Sequence, residues 1–140
     1  MKLQTASRLA LFAVLELAGD PARQRSAGEI AAAYGVSLNH LAKVMRDLSR
    51  AGLVEAVRGV GGGYRFAGNP RRTTLLDVIQ LFESVSDPGR QRPNSDDASA
   101  TEAALSLILK EIDDTVRATL QSITIDTAVK LVRRQRARDA

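Results

Sequence analysis

Residues 37–66, SLNHLAKVMRDLSRAGLVEAVRGVGGGYRF, constrain the fold most, because a two-faced helical pattern gives way there to a short hairpin pattern with a glycine tip. Ser37 suits an N-cap, where its hydroxyl can accept from a free first-turn amide, and Gly52 suits the left-handed position just past a helix end. A helix from Leu38 to about Ala51 is predicted between them. Leu41, Val44, Met45 and Leu48 recur at three- and four-residue intervals and make one apolar stripe, while Asn39, Lys43, Arg46 and Arg50 fall on another side.

After Gly52, LVEAV has the brevity and β-branched content of a strand, YRFA can pair back with it, and RGVGGG connects the two as a wing. Gly61, Gly62 and Gly63 carry no side chain to hold the backbone off another surface, and they accept positive φ. Within residues 37–66, Lys43, Arg46, Arg50, Arg58 and Arg65 stand against Asp47 and Glu55, a net +3. A cationic helix face beside a cationic hairpin serves a polyanion, because each neutralised phosphate releases condensed counterions.

The flanking text supports this unit. Thr5 to Ala18 is apolar nearly all round, as a helix buried among others would be, and Gly19, Asp20 and Pro21 end it. Ser26 and Glu29 have the spacing of a capping box, so a second helix runs through Ile30 to Tyr34 and stops at Gly35. Two short helices joined by a glycine-containing turn, with a hairpin directly behind, read as a winged helix-turn-helix. Thr74 and Asp77 suggest another cap ahead of Leu75, Val78, Ile79, Phe82 and Val85 at helical spacing.

Residues 86–100, SDPGRQRPNSDDASA, read as an exposed linker. Ser99 and Glu102 then have capping-box spacing ahead of a long helix with Leu105, Ile108, Leu109, Ile112, Val116, Leu120 and Ile123 on one stripe. Such a stripe folds back on the first domain or pairs with a second chain. The second is favoured, because helix-turn-helix proteins commonly present two recognition helices about 34 Å apart. After a break near Thr124, a last helix ends in a basic tail that is either solvated or in contact with phosphate. The expected architecture is mainly α: a winged helix-turn-helix domain over 1–85, a linker over 86–100, and a dimerisation helix with a C-terminal helix over 101–140.

Composition removes several classes. The chain has 140 residues and no cysteine, which excludes disulfides, thiolate metal sites and thiol redox chemistry. No apolar run approaches the ~18–20 residues that span a bilayer, and no leader pattern stands at the N-terminus, so a cytoplasmic location without a membrane partner is expected. The net charge of +4 is concentrated in residues 37–66 and in the tail from Lys130 to Ala140.

The stretch SLNHLAKVMRDLSRAGLVEAVRGVGGGYRFAGNPRRTTLLDVIQLFE, with the N-terminal MKLQTASRLALFAVLELA, resembles the Rrf2 family of bacterial transcription regulators. The resemblance implies a homodimer that binds an imperfect palindrome in double-stranded promoter DNA, usually as a repressor. Ser37, Asn39, His40, Lys43 and Arg46 match the family's recognition helix. Arg58 to Arg65, including Gly59, Gly61, Gly62, Gly63 and Tyr64, match its wing, which enters the adjacent minor groove. Many members hold an iron–sulfur cluster through three cysteines in the segment that corresponds to this linker. This chain has none, and no His, Asp or Glu before Glu16, so neither the cluster nor any other cofactor is carried over.

Individual residues are less decided. His40 is the single histidine, and without neighbouring carboxylates it makes no metal site; it either contacts DNA or helps the helix pack. Asn39 could pair with adenine, and Lys43 or Arg46 could reach guanine or a phosphate. Arg58 and Arg65 suit phosphate or a narrow minor groove. GVGGGY is no nucleotide loop, because Tyr64 stands at the sixth position and a strand follows. No triad or paired carboxylates point to an enzyme. Two other modes of action stay open: a protein partner docking on the linker or long helix, and a small-molecule effector bound between the winged domain and that helix.

Overall fold

The computed structural model describes residues 1–59, 61–85 and 96–140. Val60, and the part of the expected linker from 86 to 95, lie outside the described residues. In order the elements are α1 (Thr5–Gly19), α2 (Ala27–Tyr34), α3 (Leu38–Arg50), β1 (Val54–Val57), β2 (Gly63–Phe66), α4 (Leu75–Ile79), α5 (Asp96–Ser122) and α6 (Ile125–Asp139). The chain is mainly helical with one two-stranded antiparallel sheet, as the sequence predicts.

Helix α1 is the hub. Leu9, Ala10, Ala13, Val14 and Leu17 are fully buried, and α2, α3, β2, α4 and α6 all pack against it. Its apolar residues lie nearly all round because it has neighbours nearly all round. The main core adds Ile30 from α2, the expected stripe Leu41, Val44, Met45 and Leu48 from α3, Val54, Val78, and Ile125 and Val129 from α6. Thus α6 belongs to the core of the winged domain, although it follows the long helix in sequence.

Local signals set the α2–α3 unit. The Ser26 hydroxyl accepts from the Glu29 amide at 3.1 Å, and the Ser37 hydroxyl from the His40 amide at 3.1 Å. At the end of α3, Gly52 has φ 77°, its amide donates to Ser49 O at 3.0 Å, and the Leu53 amide donates to Leu48 O at 3.0 Å. That paired closure needs a left-handed residue, which glycine supplies without a Cβ penalty.

Two expectations change. Helical spacing predicts the fourth helix through Val85, but α4 ends at Ile79 and the chain continues in turns. Glu83 is drawn to the start of α1, where its carboxylate accepts from the Gln4 amide at 2.8 Å and the buried Ser7 hydroxyl at 2.6 Å. Phe82 and Val85 still pack inward, so the apolar periodicity is kept while the helix is not. The long helix also begins earlier, at Asp96, which places Ser99 inside it rather than at its cap.

The α5–α6 junction is clasped to the segment ahead of α4. The Leu75 amide donates to Ile123 O at 3.0 Å, and the Ile125 amide donates to Thr73 O at 2.8 Å. Leu120, with Val116 beside it, packs on Leu76 and Ile79. These two members of the expected dimerisation stripe are therefore engaged within their own chain. Leu105, Ile108, Leu109 and Ile112, nearer the start of α5, are each 47–56% exposed.

Candidate nucleic-acid interface

Burial of Leu41, Val44, Met45 and Leu48 turns the opposite side of α3 to solvent, so Asn39, Lys43, Arg46 and Arg50 are all exposed. His40 is half-buried and its amide is used by the Ser37 cap. Among the described residues no carboxylate pairs with Lys43, Arg46 or Arg50 within ion-pair distance. Three cations thus face water along one helix side, free to meet an anion.

The wing follows directly. Strands β1 and β2 pair in the register Val54–Phe66, Glu55–Arg65, Ala56–Tyr64 and Val57–Gly63. Arg58 leaves the end of β1 exposed and without a carboxylate partner among the described residues, beside Gly59 and Gly61 with φ of 112° and 76°. These backbone angles make the tight tip, and the lack of side chains keeps it thin.

Other expected wing residues have internal duties. Arg65 forms a cross-strand ion pair with Glu55, so its charge is partly satisfied within the hairpin. Tyr64 is half-buried and packs on the main core. Its backbone also exchanges two hydrogen bonds with Arg25, at 3.0 and 2.8 Å. Gly63 is required by that contact: a Cβ there would lie 2.5 Å from Arg25 O. Gly62 is similarly closed, with Val57 O 2.4 Å from a Cβ position. Of the three glycines, only Gly61 has open space around it.

Arg25 is the residue that sequence reasoning missed. Its backbone holds the wing root, and its guanidinium pairs with Glu16 of α1 while lying 3.8 Å from Glu29. Glu16 also accepts from Arg136 of α6 at 3.1 Å, and Arg133 donates to Gly19 O at 3.0 Å. Part of the basic tail is therefore docked on α1. A lone arginine ahead of an N-cap carries no sequence signal for these contacts, which join residues far apart in the chain.

The donor set does not fit an iron–sulfur cluster. The chain has no thiolate, and among the described residues no three His, Asp or Glu side chains converge as metal ligands. Among those residues, too, no helix is long and apolar enough to cross a membrane.

A short helix pair with a solvent-facing second helix, backed by a two-stranded hairpin and packed on a long N-terminal helix, defines a winged helix-turn-helix protein. The profile of the Rrf2 family, described as an iron-dependent transcriptional regulator, matches residues 3–131. The chain belongs to the Rrf2 family of transcription regulators. It is 52% identical over 136 residues to a Rhodopseudomonas palustris protein named as an HTH-type transcriptional regulator, BadM, covering 97% of this chain and 86% of that one. Among solved structures, CymR of B. subtilis, titled the global cysteine regulator, superposes with a TM-score of 0.77 at 27% identity, covering 94% of this chain and 98% of that one. IscR of T. potens gives 0.76 at 25% identity, covering 94% and 88%.

Proposed function

We propose that the protein acts as a homodimeric repressor on a palindromic promoter operator, without an iron–sulfur cluster. Its α3 helices would occupy successive major grooves, with Ser37, Asn39, His40, Lys43 and Arg46 toward the DNA. The wing tips, Arg58 with Gly59 and Gly61, would lie on the flanking backbone or minor groove. The observation that carries this reading is the set of exposed, unpaired cations on one side of α3, continued by Arg58 beside the thin wing tip. Asp47, one turn after Lys43, is the single carboxylate of α3 and is also exposed, so the helix keeps a net charge of +2.

The exposed part of the α5 stripe supports the dimer. Four half-exposed aliphatic side chains on one side of a helix that projects from the core are best covered by the same surface of a second copy. The missing thiolates support action without a cluster.

The test is binding of purified protein, with no added cofactor, to its own upstream promoter DNA across a salt series, beside Lys43→Ala and Arg58→Ala. Each lost phosphate contact should lower the slope of log affinity against log salt by about 0.9, so a dimer losing two should change by about 1.8. Both variants should bind more weakly than wild type. Unchanged affinity and slope in both would refute the assignment of this face.

A further inference from the structure

The exposed side of α3 is not uniformly polar. Leu38, the first residue of the helix, is 54% exposed and belongs to neither buried cluster. Capping does not require it, since the Ser37 hydroxyl closes the first turn through the His40 amide and any residue would serve at the first helical position. Ala42, one turn on, is exposed too and too short to shadow it. The outer face of α3 therefore has two strips: an apolar edge at Leu38 and Ala42, and a polar side at Asn39, Lys43, Arg46 and Arg50.

Base edges on the floor of a major groove present donors, acceptors and a single kind of apolar group, the C5 methyl of thymine. Recognition helices meet those edges through their N-terminal residues, and Leu38 is the first of them. A leucine held against donors and acceptors alone would desolvate them without repayment. We infer that Leu38 is a specificity-determining residue that packs on a thymine methyl in each half-site. This rests on the DNA-binding reading above, with α3 in the major groove, and adds which base that edge selects.

The experiment begins with selection from random duplex DNA by the wild-type protein, which defines the operator. Each thymine of the enriched motif is then replaced in turn by deoxyuridine, which removes only the methyl. One symmetric pair of thymines should be sensitive, with affinity falling about fourfold for one half-site and about 15-fold for both, the value of one buried carbon per site. Against Leu38→Ala the same replacement should cost less than twofold, and selection with that variant should no longer enrich thymine there. Circular dichroism checks that the variant folds, as its exposure predicts. A motif whose thymines all tolerate deoxyuridine, or a sensitivity that survives in Leu38→Ala, overturns this inference and leaves DNA binding standing. Failure of wild type to enrich any motif overturns the DNA-binding reading and this inference with it.

Discussion

Ile112→Ala tests the dimer most directly. Full burial of an isoleucine or leucine side chain stabilises by about 1.5–3 kcal/mol. Leu105, Ile108, Leu109 and Ile112 are about half exposed in the single chain, so pairing would gain roughly 0.75–1.5 kcal/mol from each. In a symmetric dimer both copies contribute, giving about 6–12 kcal/mol from the stripe against an association cost of about 4–15 kcal/mol. Those ranges overlap, so the stripe leaves little surplus and a single truncation should be visible. Ile112→Ala acts twice and should cost about 1.5–3 kcal/mol, raising the dimer dissociation constant about 10- to 150-fold. Sedimentation equilibrium over a concentration series measures that constant, with circular dichroism to check the fold. Leu107, 67% exposed on roughly the opposite side of α5, is the control, and Leu107→Ala should change it less than threefold. An Ile112→Ala dimer as tight as wild type, or one weakened no more than by Leu107→Ala, would refute the assignment of this stripe as the interface.

Glu16→Gln removes the shared partner of Arg25 and Arg136 from a largely buried position and should lower stability by about 2 kcal/mol, read by urea unfolding. A midpoint equal to that of wild type would show that Glu29 alone suffices for Arg25. Gly63→Ala should destabilise by about 1–3 kcal/mol, because its Cβ meets the Arg25 carbonyl. Gly61→Ala, with open space but positive φ, should cost only about 1 kcal/mol. Thermal unfolding ranks the pair, and the reverse order would contradict the packing described at the wing root.

What could be read beforehand was local. Ser26, Ser37, Gly35 and Gly52 punctuate the helix-turn-helix through contacts with residues a few positions away, and those positions stand in the text. The apolar stripe of α3 follows from the 3.6-residue period in the same way, and the wing from two short strand-like runs around a glycine-rich connection. The misses involve partners distant in sequence. Glu83 reaches α1 across 76 positions to Ser7, and this contact accompanies the end of α4 at Ile79 despite helical spacing through Val85. Arg65 and Tyr64 look like free wing residues until the register brings Glu55 opposite one and Arg25 beside the other. Leu38 stands three and seven positions before Leu41 and Met45, so periodicity places it at the edge of the buried stripe, and only the structure shows it 54% exposed.

The clasp between residues 73–75 and 123–125 has a consequence for synthesis and turnover. Because Ile125 and Val129 complete the core around α1, that helix lacks part of its packing until α6 has been made. A fragment ending at residue 85 would expose Leu9, Val14 and Leu17 wherever α6 normally covers them, and should be a poor substitute for the DNA-binding half. Conversely, a protease cut within α5 would leave both ends held in one core, so the protein could lose its covalent continuity while keeping its winged fold.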